Sequence, residues 1–148
     1  MIRRFRIIDS TNYSYINEII DLYSTHMGWD EGIERYFDQV DEYVKKLNYE
    51  NTFILAGDFN CVYESEQYDY LLKNKLISLV EKSNIDPYNY PTFHYKLDFP
   101  MQKEVNNGHI DYFFTNNKNI KVNDYNVYFN EDDNLVSDHH LVMVDIEI

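Results

Sequence analysis

Apolar and polar positions along this chain fall into runs and periods that predict a mixed α+β fold. Ile54, Leu55 and Ala56 follow Phe53 without interruption and stop at Gly57-Asp58-Phe59-Asn60, the pattern of a buried strand with a sharp exit. Upstream, Phe5-Arg6-Ile7-Ile8 and residues 15–25 predict two strands separated by the polar run Asp9-Ser10-Thr11-Asn12, so residues 3–25 read as a hairpin. Between Glu31 and Leu47, the apolar side chains Ile33, Tyr36, Phe37, Val40, Val44 and Leu47 recur at helical spacing opposite Asp, Glu and Lys. Strand, helix and strand make a βαβ-like arrangement, although the pattern leaves open whether its two strands are parallel neighbours. Residues 65–72 have helical periodicity, and residues 76–80 fit either a further helix or a short strand. Residues 84–100 hold all three prolines with Tyr88, Tyr90, Phe93, Tyr95 and Phe99, an aromatic-rich loop. Two strands finish the chain: residues 109–114, after the turn signal Asn106-Asn107-Gly108, and residues 141–148.

Composition narrows the picture. The 148 residues are 44% hydrophobic and 17% aromatic, enough for one well-packed domain over residues 1–148. Scarce Gly and Pro exclude a low-complexity linker. Thirteen basic against 26 acidic side chains give a net charge of −13, which repels nucleic acid unless the cations are gathered on one face. Arg3-Arg4-Phe5-Arg6 is the one basic cluster, and it reads better as a solvated edge strand. A single cysteine, Cys61, excludes an internal disulfide and fits a reducing compartment. With no segment of membrane-spanning length, a cytoplasmic protein is expected.

Four short motifs carry candidate chemistry, each with a plainer reading beside it. Asp58 and Asn60 at a strand tip offer one anionic and one neutral oxygen to a hard cation, or they are turn formers bonding their own backbone. His26 ends a strand before Gly28 and Trp29, where it serves chemistry or packs on the indole. Asp111 interrupts an apolar strand, and burying it requires a partner. Ser137-Asp138-His139-His140 precedes the last strand, either as a polar cap or as a cation ligand beside a general base, with Asp111 the natural group to orient the imidazole. Thr92-Phe93-His94 rims a pocket or lies on the surface.

Taken in order, Ser24-Thr25-His26, Gly57-Asp58-Phe59-Asn60, His109-Ile110-Asp111-Tyr112 and Ser137-Asp138-His139 resemble the endonuclease/exonuclease/phosphatase superfamily. The resemblance implies a DNase I-like β-sandwich flanked by helices, here in an incomplete form. It implies a hydrolase that uses Mg²⁺ or Mn²⁺ to attack a phosphoester with water. Asp58 and Asn60 would contact the metal, the scissile phosphate or the attacking water, and Asp138 would be a metal ligand. His139 would be the general base, Asp111 its orienting partner and His26 a donor to the phosphate oxygens. A small phosphorylated substrate such as a sugar phosphate is favoured over duplex DNA, with nuclease activity as an alternative. The family's early Asn and Glu motifs have no counterpart before His26; Asp9, Glu18 and Asp21 are acids without a motif around them. The expected consequence is an exposed apolar face on residues 1–25, where Ile7, Ile16, Ile20 and Leu22 lack full cover. A homodimer or a complementing chain would supply it, or the chain is an inactive relative kept as a binding module.

Overall fold

A computed structural model describes residues 2–8, 15–28, 32–93, 108–128 and 137–148, with side chains from residue 19 onward within those segments. The expected turn at 9–12, Trp29, the stretch 94–107 with His94, and Asp9 lie outside the described residues. The elements run β1 (Ile2–Ile8), β2 (Tyr15–His26), α1 (Ile33–Val44), β3 (Thr52–Asp58), α2 (Glu66–Lys73), β4 (Ile77–Ser78), β5 (Asp111–Thr115), β6 (Lys121–Tyr128) and β7 (Leu141–Glu147). A short 3₁₀ turn, Pro87–Asn89, sits in the aromatic-rich stretch.

Five strands form one sheet in the order β1-β2-β3-β5-β4, and β6 pairs with β7 in a second, two-stranded sheet. β1 and β2 are the expected antiparallel hairpin, with the Arg3-Arg4-Phe5-Arg6 strand at the sheet edge. β2 and β3 are parallel neighbours, so the unit spanning α1 is a true βαβ crossover. Residues 76–80 resolve as the two-residue strand β4 against β5.

The two faces of the larger sheet are covered differently. On one face, Phe53 and Leu55 of β3 and Tyr112 and Phe114 of β5 meet Tyr36 and Val40 of α1 and Tyr68 and Leu71 of α2. Edge-to-face aromatic pairs such as Phe59–Phe114, 4.8 Å between centroids, fill this layer. On the other face, Ile20 and Ile54 pack with Leu79 and Ile120, against Leu22, Phe113, Val122, Val144 and Ile146. Strand alternation sends neighbouring residues to opposite layers, so a strand such as β3 must be apolar on both sides.

Two expectations are corrected. Ile20 is buried and Leu22 half-buried, because the β6–β7 sheet closes over them; the inner face at this point finds its cover within the chain. The side chains of Ile7 and Ile16 are outside the described residues. The sequence pattern also missed β6. Its register shifts between Val122 and Asp124, so the two-residue alternation that marks a half-buried strand is broken. Among the described residues, no helix is long and apolar enough to cross a membrane.

Candidate active site

Register brings the predicted residues together. His26 of β2 pairs with Asp58 of β3, and Asp58 pairs with Asp111 of β5. These three positions form a row across one end of the sheet, on the face that carries Ile54 and Phe113. Pairing continues just past the strands, where Met27 N–H donates to the Asp58 carbonyl and Phe59 N–H to the Ile110 carbonyl, each at 2.9 Å. The row is therefore held by main-chain bonds on both sides of Asp58.

Gly57 permits this approach. Its φ is 151°, and a Cβ there would stand 1.9 Å from the carbonyl oxygen of Thr25 on the adjacent strand. Only glycine lets β2 and β3 stay paired up to Asp58. Beyond Asp58 the chain turns instead of remaining extended. Asn60 has φ 48°, its N–H donates to Asp58 Oδ1 at 2.8 Å, and its side-chain amide donates to the Met27 carbonyl at 2.5 Å. The strand tip is thus a turn that Asp58 caps with its own carboxylate, the backbone bonding that the plainer reading of these two residues expects.

β7 delivers the base. Phe93 and His139 form an isolated antiparallel bridge, and their rings pack at 5.1 Å. His139 Nδ1 donates to Asp111 Oδ2 at 2.9 Å, so the neutral ring carries its proton on Nδ1 and leaves Nε2 with a lone pair. That Nε2 is 3.6 Å from Asp58 Oδ2, and His26 Nε2 is 3.4 Å from the same oxygen. Asp111, required by its burial to find a partner, has found one.

Electrostatics distinguishes the groups. Burial lowers the proton affinity of His139, but its hydrogen bond to Asp111 and the charges of Asp111, Asp58 and Asp138 outweigh this and raise it above the ordinary histidine value. Burial pushes the Asp111 carboxyl up, against the hydrogen bonds from Thr92 and His139 that favour its charged form. Asp58, Asp111 and His139 each offer a donor atom within 4.8 Å of the others, a group able to hold a cation. Asp138 is exposed and stands outside that group, although His139 feels its charge.

Other acids and thiols sort away from this end. Asp21, buried on β2, accepts from the side-chain amides of Asn48 and Asn51 near the start of β3. It lies toward the opposite end of the sheet from His26 and does not replace a ligand there. Glu18 lies further still along β2, its side chain outside the described residues. Cys61 is buried, and burial pushes its thiol up to about 12. Sequence reasoning missed the role of Thr92: it is fully buried between β5 and β7, and its Oγ1 accepts from the Ile110 and Asp111 N–H groups, each at 3.0 Å.

The chain belongs to the Endonuclease/Exonuclease/phosphatase family, whose model matches residues 7–139. A search of the curated proteins found no match. Among solved structures, an endonuclease/exonuclease/phosphatase family protein from Leptotrichia buccalis aligns with TM-score 0.69 and 24% identity, over 92% of this chain and 52% of that one. A mannosyl-6-phosphatase from Bacteroides thetaiotaomicron aligns with TM-score 0.62 and 21% identity, over 90% and 53%. The human Nocturnin catalytic domain with bound sulfate aligns with TM-score 0.66 and 18% identity, over 99% and 58%. At these identities the likeness concerns the fold, which is DNase I-like. The chain spans about half the length of the structures it matches.

Proposed function

We propose that the protein hydrolyses a phosphoester with the help of a divalent cation, Mg²⁺ or Mn²⁺. The observation that carries this reading is the Asp111–His139 pair, with the second ring nitrogen of His139, Nε2, facing Asp58 at the end of the sheet. His139 Nε2 takes the proton from the attacking water. Asp111 holds the imidazole in the tautomer that leaves Nε2 free and stabilises the imidazolium that forms. His26, exposed at the end of β2, donates to the phosphate oxygens.

The donor set fits a hard cation bound in a water-rich site. Asp58 Oδ2 is the anionic oxygen on offer at this end of the sheet, and the tied amide nitrogen of Asn60 leaves its Oδ1 as a neutral one. Asp138, exposed beside His139 and outside the cluster, would add a second carboxylate only by turning inward. So few protein ligands leave positions for water and for substrate phosphate, as Mg²⁺ prefers. When bound, the cation neutralises charge that builds on the phosphoryl oxygens. The net charge of −13 favours a small phosphorylated metabolite over duplex DNA, and the name of the mannosyl-6-phosphatase neighbour points the same way.

A second reading is favoured by the chain's covering about half of its matched structures. On this reading a second chain or a second copy shares the ligand shell, and the 148 residues alone bind the cation weakly. One assay separates these possibilities. Hydrolysis of a panel of phosphomonoesters and phosphodiesters is measured with Mg²⁺, with EDTA and in His139→Ala. Activity abolished by EDTA and reduced about 10²–10⁴-fold by the substitution is expected; activity surviving both changes would sink the reading. Activity appearing only at concentrations where the protein self-associates would select the shared site.

A further inference from the structure

Thr92 lies outside any helix or strand, yet it joins the two elements that carry the base and its partner. Its N–H donates to the Gly108 carbonyl at 3.0 Å, and its carbonyl accepts from His140 N–H at 2.7 Å. The segment is thereby clamped between the residue preceding His109 and the residue following His139. The hydroxyl adds a tighter connection. Two N–H groups, those of Ile110 and Asp111, point at Oγ1 and occupy both of its lone pairs. A hydroxyl with both lone pairs filled has only its proton left to give. Thr92 also favours the charged form of the Asp111 carboxylate, the effect expected of a hydroxyl proton turned toward it.

We infer that Thr92 is a positioning residue whose hydroxyl locks the backbone and the carboxylate of Asp111 together, so that Asp111 can hold the His139 imidazole in a single tautomer. The chemistry selects Ser or Thr at this place. An amide or a carboxylate cannot accept two N–H bonds at one atom while donating to a carboxylate from that same atom, and an alkyl group can do neither. Phe93 completes the arrangement from the next position, its N–H on the Gly108 carbonyl at 3.1 Å and its ring on His139. The inference rests on the proposed role of His139 only for its effect on rate; the tautomer it predicts is a property of the protein without substrate.

The test compares wild type with Thr92→Val and Thr92→Ser by long-range ¹H–¹⁵N NMR of the histidine rings, at a pH where the imidazoles are neutral, with His139→Ala to assign the signals. Wild type and Thr92→Ser should show His139 protonated at Nδ1, while Thr92→Val shows a mixture of tautomers. A folded Thr92→Val protein with the wild-type tautomer overturns the inference. Should that variant not fold, wild type alone decides through its Thr92 hydroxyl proton. This proton should exchange slowly and show a nuclear Overhauser contact to the Asp111 N–H, and exchange as fast as at surface threonines overturns the proposal. Where wild type hydrolyses a phosphoester, Thr92→Val should lower kcat about 10–100-fold at unchanged KM, with Thr92→Ser restoring most of the loss. An inactive wild type would count against the proposed function and leave the two NMR results to decide this one.

Discussion

His109 and His139 stand beside the starts of β5 and β7, and both are held by the same segment: Tyr90 contacts the first and Phe93 the second. Their surroundings differ. His109 is buried, with Nδ1 donating to the Tyr90 carbonyl at 2.6 Å and Nε2 accepting from the Tyr125 hydroxyl at 3.2 Å. Both nitrogens are occupied by neutral partners, and burial lowers its pKa to about 4. His139 is half-buried, occupied at Nδ1 by a carboxylate and ringed by Asp58, Asp111 and Asp138, which raise its pKa. The same side chain is thus a neutral packing element in one place and a proton acceptor in the other. What separates them is the charge of their hydrogen-bond partners and the access of water, since desolvation pulls both the same way.

The largest effect that would break this comparison is on stability. Because the folded protein keeps His109 neutral down to about pH 4 while the unfolded chain takes up a proton near 6.5, unfolding binds protons between those values. Its stability contribution is therefore complete above pH 6.5 and is lost as pH falls toward 4. The loss from this one group amounts to about 3 kcal/mol. Denaturant midpoints measured from pH 7.5 to 4 should fall with this slope, and His109→Asn, though less stable, should lose the His109 share of it. A slope that survives the substitution unchanged would place the cause elsewhere, among the carboxylates. His139 runs the other way: its raised pKa favours the folded state below 6.5, and that contribution fades as pH rises through the folded value.

Much of this arrangement is legible in the sequence, for reasons that also explain what is not. The strand ending at Asp58 can be read because β3 is covered on both faces and must be continuously apolar. Asp111 draws attention because an acid inside an apolar strand has to be paired. Helix α1 follows from its apolar stripe, of which Tyr36 and Val40 are buried while Ile33, at the helix start, stays 37% exposed. β6 was hidden by its bulge. In the sequence Thr92 reads only as a possible pocket rim, because its bonds reach Ile110 and Asp111 across a long stretch of chain and leave no local pattern. His109 shows the same limit. Nothing in His-Ile-Asp-Tyr says that its imidazole turns inward to a tyrosine on a strand that the alternation did not reveal.

A smaller effect sharpens the contrast. Tyr125→Phe removes the hydroxyl that His109 Nε2 accepts from, at a cost of about 1 kcal/mol, and takes away no hydrogen bond of His139. Chemical denaturation should register this loss while any hydrolytic activity stays near wild type. A large loss of activity at preserved stability would mean that His109 communicates with the site, and would remove the distinction between the two histidines.

The most direct test of the account is an NMR titration of both imidazoles in the folded protein, assigned with His109→Asn and His139→Ala. The account predicts that His139 titrates above the ordinary histidine value of 6.5 and that His109 remains neutral until about pH 4. Two midpoints close to 6.5 would contradict it, and so would the reverse order, because neither outcome leaves a base at the end of the sheet distinct from the histidine packed beside it.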